Sequence, residues 1–193
     1  MPASEYFRAV SHALHGLEAT DRAGTRLTLD AAAARAVRMM AAVAAGGRTV
    51  FAIGNGGSCA IASHLHNDLA KGAALRTMTF LDAPLLTALA NDEGYASVFE
   101  RPLRLWAGPG DLLIAISSAG RSENILRGVG VCLERAAEVI TLSGFAPDNP
   151  LRIRGALNFY VPASVYGHVE YAHGILTHFL SDAACAAAGL ASV

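Results

Sequence analysis

Two turns rich in glycine and serine contain the residues best suited to binding a phosphate group. The first, Asn55-Gly56-Gly57-Ser58, follows the apolar stretch 49–53 and precedes a stretch, 59–70, that has the spacing of a helix and contains no proline. A turn in this context lies at the carboxyl end of a parallel strand, where unpaired N–H groups of the following helix attract anions. The pattern predicts a phosphate site, although a glycine turn can also serve only to reverse the chain.

A second turn of the same kind strengthens the phosphate interpretation. The apolar stretch 111–116 runs directly into Ser117-Ser118-Ala119-Gly120-Arg121-Ser122, and a helical stretch, 125–136, follows. The three hydroxyls and the glycine can satisfy the N–H groups at the start of that helix, with Ser122 as N-cap, or can wrap a phosphate together with backbone amides. Two such turns in one domain favour a shared anion over two separate caps.

Ionisable residues on two helices suggest acid–base or metal chemistry. His64 and Asp68 are four residues apart and therefore share one face of the helix that follows the first turn. Such a pair is often only a surface hydrogen bond, and its position after a phosphate-type turn is what favours a function. Glu170 and His178 are separated by about 12 Å on an ideal helix. We therefore expect either that the last helix begins after Glu170 or that these two residues serve sites completed by different subunits.

The cysteines and two further histidines have structural interpretations. Cys59, Cys132 and Cys185 are far apart and lack C-x-x-C spacing, so buried thiols are expected rather than disulfides or zinc ligands. A helix start beside Cys59 would favour its thiolate, but packing is the preferred interpretation. His168 and His173 are expected to cap or bridge helices at an oligomer interface.

The elements that must position these residues alternate between strands and helices, which predicts a three-layer α/β fold with a parallel sheet of about five strands. Segments 82–95 and 143–150 are expected to be loops that shape the pocket. The chain of 193 residues is expected to be one domain, 1–193, in which a helical segment, 1–46, packs in an oligomer. Helices are expected at 3–19, 29–45, 59–70, 125–136 and 169–188, with a break at 21–24, and strands at 49–53, 76–81, 112–116, 138–142 and 158–161.

Composition argues against several classes of function. A net charge of −1 and scattered arginines provide no basic surface for nucleic acid. No apolar run reaches the roughly 18 to 20 residues that span a bilayer, and the N-terminus lacks the pattern of a signal peptide, so a cytoplasmic protein without membrane contact is expected. The first two helices and the last are rich in apolar residues, which favours burial against other copies of the chain.

Four motifs resemble the sugar isomerase (SIS) domain family, and within it the phosphoheptose isomerases, which act on sedoheptulose 7-phosphate. The motifs are the Asn55–Ser58 turn, the Ser117–Ser122 turn, Asn91-Asp92 before Gly94, and His178, in order and at similar spacing over nearly the whole chain. The resemblance implies a flavodoxin-like fold, a homotetramer with active sites between subunits, and aldose–ketose isomerisation of a phosphorylated long-chain sugar through an enediolate. The substrate and phosphate contacts that it implies are Asn55, Gly56, Gly57, Ser58, Asn91, Asp92, Ser117, Ser118 and Ser122.

The resemblance also implies acid–base and metal roles. The family's base and acid fall on Asp68 and His178, and with His64 and Glu170 these residues match positions that bind zinc in some members. This chain has Asp where the family has Glu at 68, and Glu where it has Gln at 170. Because proton abstraction needs heavy-atom contact near ~3 Å, the shorter side chain leaves open whether Asp68 or Glu170 is the base. Two imidazoles and two carboxylates suit Zn²⁺ or another divalent ion.

Two other interpretations stay open. A SIS domain can bind sugar phosphates for regulation, or bind a replication initiator, without catalysis; the ionisable residues at 64, 68, 170 and 178 favour an enzyme. A deaminating aminosugar isomerase normally has a second SIS domain or a glutaminase domain, for which this chain leaves no room. The length and stereochemistry of the sugar, the product anomer, the pathway and the metal are not determined by the sequence.

Overall fold

The computed structural model describes residues 1–190 and shows a seven-stranded sheet with helices on both faces. Short 3₁₀ turns lie at Tyr95–Ser97 and Pro150–Ile153. Residues 191–193 of the expected domain lie outside the described residues. The helices are α1 (Ala3–His15), α2 (Leu29–Ala45), α3 (Gly57–Lys71), α4 (Ala83–Asp92), α5 (Glu100–Trp106), α6 (Glu123–Glu134) and α7 (Tyr166–Ala187). The strands are β1 (Glu18–Asp21), β2 (Arg26–Leu27), β3 (Val50–Gly54), β4 (Thr77–Met78), β5 (Leu112–Ser117), β6 (Glu138–Gly144) and β7 (Leu157–Val161).

The sheet has the order β2-β1-β7-β6-β5-β3-β4, and the five strands from β7 to β4 in this order are parallel. The expected three-layer fold is confirmed, but the expected count of about five strands is wrong for the whole sheet. A hairpin of β1 and β2 adds two antiparallel strands, with Ala19 opposite Phe159 of β7. These strands are four and two residues long, too short for a sequence period, and they form because the edge of β7 offers unpaired backbone groups.

Strands β3, β5 and β7 are buried throughout because helices cover both faces of the sheet. On one face the core includes Met40 of α2, Leu65 of α3 and Leu180 of α7. On the other face it includes Leu103 of α5 and Val129 of α6. Helices α3 and α7 therefore lie side by side on the same face, and both contain candidate site residues.

Segment 82–95 differs from its expected loop, since most of it forms α4. The Asp82 carboxylate accepts a hydrogen bond from the N–H of Leu85 at 3.2 Å, and Pro84 occupies the first turn, where a missing N–H costs nothing. These start signals are present in the sequence. Strand β4 is also shorter than expected, covering Thr77–Met78 instead of 76–81.

The N-terminal segment 1–46 contains the hairpin as well as helices. Helix α2 belongs to the core, with Ala32 and Ala36 fully buried, whereas Phe7 on α1 is 68% exposed. Among the helices of residues 1–190, none combines the length and apolarity needed to cross a membrane.

Candidate active site

The first turn depends on glycine at two positions. β3 ends at Gly54 and α3 begins at Gly57. Gly56 is the N-cap of α3 and has φ 54° and ψ −123°. Residues other than glycine rarely adopt that backbone conformation. A Cβ on Gly54 would collide with the backbone carbonyl of Ser58, which shows how closely the helix start approaches the strand end. Ser58 is consequently 3% exposed and sits in the first turn of α3, whose N–H groups lack intrahelical acceptors.

The second turn brings three serines together at the end of β5. The Ser117 hydroxyl donates to Ser122 Oγ at 3.4 Å and accepts from the Gly120 N–H at 3.2 Å. Ser122 is the N-cap of α6, as expected, but its side chain makes no capping hydrogen bond. Ser118 Oγ is buried and has no hydrogen-bond partner among the described residues. Since buried hydroxyls are rarely left unpaired, Ser118 suits a ligand oxygen.

One cavity of about 240 Å³ joins both turns. Its wall includes residues 55–58, residues 117–119 and Ser122, together with Tyr166 and Glu170 of α7. The Glu170 carboxylate lies directly against Gly57, so close that a Cβ added to Gly57 would overlap with it. The cavity therefore combines a helix N-terminus and free hydroxyls, which suit a phosphate, with one carboxylate at its border.

A reciprocal amide pair ties the two turns together. Asn55 Nδ2 donates to Asn124 Oδ1 at 2.9 Å, and Asn124 Nδ2 donates to Asn55 Oδ1 at 2.9 Å. The Tyr95 hydroxyl donates to the same Asn55 oxygen at 2.9 Å. Asn124 is 2% exposed, so this pair is shielded from water. Sequence reasoning did not assign a role to Asn124 or Tyr95, since neither has a partner within its own segment.

A second group of ionisable side chains lies between α3 and α7. Asp68 Oδ2 is 3.4 Å from His64 Nε2 and 3.3 Å from His178 Nδ1. The two imidazole rings are 4.7 Å apart between centroids. Asn67 donates to the other carboxylate oxygen, Asp68 Oδ1, at 3.1 Å, which turns Oδ2 toward the histidines. The Asp68 side chain is 12% exposed and both histidine side chains are 56% exposed. The carboxylate is therefore largely buried, whereas the two imidazoles are accessible to solvent.

This group fits a divalent metal ion. One ligand atom from each of His64, Asp68 and His178 lies within 4.8 Å of the others. Imidazole nitrogen and carboxylate oxygen are ligands that Zn²⁺ accepts. A second cavity, of about 200 Å³, contains the three residues and is also lined by Asn67, Ser181, Asp182 and Cys185.

The other predicted site residues lie apart from this group. Glu170 lines the first cavity, whereas His64, Asp68 and His178 line the second. Within one chain, three of the four predicted metal ligands are therefore brought together, and Glu170 is not. α7 begins at Tyr166, and therefore Glu170 and His178 lie on the same helix. Asn91 and Asp92 lie on the last turn of α4, both exposed, with Asn91 Nδ2 donating to Asp92 Oδ1 at 2.9 Å. Neither is among the residues that line the two cavities.

His173, His168 and Cys59 have surroundings typical of packing. Burial lowers the pKa of His173 to about 4, despite its hydrogen bond to the Ser143 carbonyl at 3.1 Å through Nε2. The ring is thus neutral and links α7 to the end of β6. His168 packs edge-on against Tyr6 with 5.0 Å between ring centroids. Burial raises the pKa of the Cys59 thiol, which disfavours a reactive thiolate.

Comparison with known proteins shows the family to which the chain belongs. The family described as SIS domain matches residues 5–144. A phosphoheptose isomerase of Thiobacillus denitrificans is 33% identical over 178 residues, 84% of this chain and 89% of the relative. A phosphoheptose isomerase of Shewanella denitrificans is 31% identical over 160 residues, 77% of this chain and 80% of the relative. The structure of a phosphoheptose isomerase from Francisella tularensis superposes with a TM-score of 0.81 at 25% identity, covering 94% of this chain and 95% of that one.

The family match covers well over half of the chain, and it includes both turns and the His64–Asp68 pair. The relatives match 77–84% of the chain, and the solved structure covers 94% of it. The chain belongs to the SIS domain family, in its phosphoheptose isomerase branch.

Proposed function

We propose that this protein is a sugar-phosphate isomerase that interconverts sedoheptulose 7-phosphate and an aldoheptose 7-phosphate. Its membership of the phosphoheptose isomerase branch supports this reaction. The strongest support within the chain is the position of two chemically different cavities on one helix. The start of α3 borders a cavity of hydroxyls and N–H groups, and Asp68 near its end borders one of imidazoles and carboxylates.

The hydroxyl-lined cavity is proposed to hold the phosphate. Ser58, Ser118 and Ser122 border it, and the Ser118 hydroxyl has no partner among the described residues. The N-terminus of α3 adds the positive end of its dipole. Recognition here is local, which agrees with a chain whose net charge is only −1.

The spacing along α3 supports a long-chain sugar. His64 is six residues from Ser58 and Asp68 is ten, which correspond to about 9 and 15 Å along a helix. An extended seven-carbon sugar phosphate, with bonds of about 1.5 Å in a zigzag, is roughly 10 Å long. A substrate whose phosphate is bound near Ser58 would therefore place its far end, C1 and C2, near His64. A three-carbon sugar phosphate would not extend that far.

The proposed chemistry is a proton transfer between neighbouring carbons. A base removes a proton from C1 of the ketose, and the resulting enediolate receives a proton at C2, while the hydroxyl proton moves from O1 to O2. Asp68 is favoured as the base and His178 as the acid, because they share a cavity and lie 3.3 Å apart. Glu170 would lie beside the phosphate in the same chain, and its use as a base would require a site shared between subunits.

A divalent ion, Zn²⁺ or a similar metal, is proposed for the group His64, Asp68 and His178. When bound there, it would polarise the sugar's carbonyl and hydroxyl oxygens. Asp68 would then be shared between metal binding and proton transfer, and Glu170 remains the alternative base. The predicted role of Glu170 as a metal ligand likewise requires a neighbouring subunit.

The protein is proposed to form a homotetramer with active sites between subunits, and to remain in the cytoplasm. Support for assembly comes from an apolar face formed by α1 and α7, on which Phe7, Tyr171, Ile175 and Phe179 are 46–68% exposed. The three free cysteines suit a reducing compartment. The expected single domain and the packing of segment 1–46 in the oligomer belong to the same proposal.

The test is isomerisation of sedoheptulose 7-phosphate in D₂O, followed by NMR. Deuterium is expected at C2 of the aldose product. Asp68→Asn is expected to lower kcat by about 10²-fold or more, in the range of lost acid–base catalysis, and His178→Gln by a similar factor. Glu170→Gln is expected to have a smaller effect on kcat and to lower KM, because it removes a negative charge from the border of the cavity proposed for the phosphate.

A panel of three- to seven-carbon sugar phosphates serves as the control for substrate length. Binding of a sugar phosphate without any turnover, with metal supplied, would contradict the proposal and favour a regulatory SIS protein. Full exchange in the double variant Asp68→Asn, Glu170→Gln would contradict the assignment of a carboxylate base.

A further inference from the structure

The side-chain amide of Asn55 borders the cavity that joins the two turns, and its hydrogen bonds decide which of its atoms can face a ligand. Its oxygen accepts from Asn124 Nδ2 at 2.9 Å and from the Tyr95 hydroxyl at 2.9 Å. Because an amide oxygen has two lone pairs, both are used. Among residues 1–190, Asn55 Nδ2 donates only to Asn124 Oδ1, at 2.9 Å, so one of its two N–H groups is left for a ligand.

The backbone of α6 fixes which way this pair of amides faces. Asn124 Oδ1 also accepts from the N–H of Ile125 at 3.0 Å, in a buried position. If the Asn124 amide were turned over, its NH₂ group would meet that N–H, and two donors would face each other. The reciprocal pair then requires Asn55 to direct Nδ2 toward Asn124 Oδ1. Asn124 contacts the Asn55 amide from one side only, and the Tyr95 hydroxyl provides its second partner.

Tyr95 approaches this pair from the segment that follows α4. It opens the short 3₁₀ turn Tyr95–Ser97, and the residues directly after that turn, Val98 and Phe99, are each 1% exposed. Ser97 Oγ donates to the carbonyl of Glu93 at 3.2 Å, which closes the turn. The backbone of Tyr95 is therefore held by the core, whereas Tyr95 itself is 53% exposed and meets Asn55 at the surface.

We propose that Tyr95 is a positioning residue for substrate binding, whose hydroxyl holds the Asn55 amide so that its remaining N–H donates to the phosphate. This inference rests on the phosphate cavity of the proposed function. The terminal oxygens of a phosphate monoester are largely deprotonated near neutral pH and accept hydrogen bonds, so an amide N–H binds them and an amide oxygen repels them. In the described part of the chain, Tyr95 is not among the residues that line the cavity, and it acts through Asn55.

Binding of inorganic phosphate to the full-length protein, measured by calorimetry at pH 8, tests this role. Tyr95→Phe removes only the hydroxyl, and it is expected to weaken phosphate binding about 2- to 10-fold, the range of one hydrogen bond. In steady-state kinetics with sedoheptulose 7-phosphate, the same variant should raise KM by a similar factor. Its kcat should stay within about twofold of the parent value, because the phosphate contact is the same in the ground state and the transition state.

Tyr160→Phe is the matched control. The Tyr160 hydroxyl donates to the carbonyl of Phe145 at 2.8 Å, so this variant also loses one tyrosine hydrogen bond. Tyr160 lines neither of the two site cavities. The control is expected to unfold at a lower temperature and to bind phosphate as the parent does. Parent-like phosphate affinity in Tyr95→Phe, or an equal loss of affinity in Tyr160→Phe, would overturn the inference.

A double-mutant cycle shows whether Tyr95 acts through Asn55. In an Asn55→Ala protein, Tyr95→Phe should cause no further loss of phosphate affinity, because the amide that it positions is gone. The cycle is also followed by kcat/KM, which stays measurable when phosphate binding is weak. Equal losses in the two backgrounds would mean that Tyr95 acts independently of Asn55, and would contradict a positioning role.

Isomerase activity of the same preparations separates this inference from the proposed function. An active isomerase whose KM is unchanged by Tyr95→Phe would overturn the role of Tyr95 and keep the isomerase. A protein that binds phosphate with the expected coupling of Tyr95 and Asn55, but converts no sugar phosphate, would support the inference and contradict the isomerase.

Discussion

Two histidines of α7 have different properties because their surroundings differ. His173 and His178 lie on one helix, yet His173 is fully buried whereas the His178 side chain is 56% exposed. Burial removes the water that would stabilise an imidazolium, so His173 stays neutral and connects α7 to Ser143 of β6. Since α7 also contains Glu170 and His178, this buried hydrogen bond helps to fix both candidate site residues.

The lowered pKa of His173 predicts a dependence of stability on pH. The pKa is about 4 in the folded chain and about 6.5 in the unfolded one, so between these values the unfolded state binds one more proton. Stability therefore rises with pH across this window, and about 3 kcal/mol is lost as the pH falls from 6.5 to 4. His173→Gln lacks this group and should lose less stability over the same window.

Urea unfolding of the parent and His173→Gln between pH 8 and pH 4 measures this difference. All other histidines are common to both proteins, so their contributions cancel. The variant is expected to be less stable at pH 8, because glutamine does not reproduce the packing of the buried ring or the geometry of its hydrogen bond to the Ser143 carbonyl, and the difference in stability should narrow on acidification. Parallel curves for the two proteins would contradict a neutral, buried His173.

At the scale of elements, the start of α3 shapes the cavity that is proposed to bind the phosphate. The helix begins directly after Gly56, whose positive φ lets the chain reverse between the end of β3 and Ser58. The amide pair of Asn55 and Asn124 then ties this turn to the serine turn after β5. Because β3 and β5 are neighbouring parallel strands, both turns reach the same edge of the sheet.

Replacing Gly56 by alanine should disturb this element. A side chain in so sparsely populated a conformation costs about 1–3 kcal/mol, and relaxation of the turn would move Ser58. We expect a loss of unfolding free energy in this range, together with weaker binding of inorganic phosphate by calorimetry. Gly130→Ala is the control, since Gly130 lies within α6, and a Cβ there would meet nothing within 4 Å.

The control substitution should raise stability by about 0.5–1 kcal/mol, because alanine is the better helix former. A Gly56→Ala protein with parent-like stability and phosphate affinity would show that the turn does not depend on glycine.

At the scale of the whole molecule, α1 and α7 form an apolar face that is exposed in a single chain. A groove of about 400 Å³ there is lined by Tyr6, Phe7, Val10, Leu14, Tyr171 and Ile175. Contiguous exposed apolar surface of this kind marks interaction sites, and closed symmetric assemblies are the common result when the partner is another copy. The same helix α7 contains Glu170 and His178, so assembly through this face would join the subunits close to the site.

Phe7→Glu is expected to dissociate the assembly. The parent should sediment at a multiple, four for a tetramer, of the 20.0 kDa chain mass, and the variant at a lower multiple, because burying an unpaired carboxylate is costly. Leu105→Glu is the control, since Leu105 is also an exposed apolar residue, at 74%, but lies on α5 outside this face. A monomeric parent, or equal masses for all three proteins, would contradict the proposed face.

The sequence by itself determined the features that depend on local chemistry. Apolar stretches that alternate with helical segments identified the five parallel strands, and α2 matches its predicted bounds, Leu29–Ala45. Both hydroxyl-bearing turns were recognisable because the residue types that reverse a chain and bind an anion are adjacent in sequence. His64 and Asp68 were predicted to share one face of α3, because residues four apart on a helix lie on the same side.

Only the tertiary structure decided which distant residues meet. The β1–β2 hairpin exists because β7, over 130 residues later in the chain, provides an edge. Asn124 finds Asn55 across 69 residues, and His178 joins His64 and Asp68 only because α7 packs beside α3. The separation of Glu170 from that group, and the entry of Asp182 into its cavity, follow from how α7 lies on the sheet. The helical periodicity of a sequence cannot determine these contacts. It predicts which side chains of a helix point in the same direction, but not which other element packs against them.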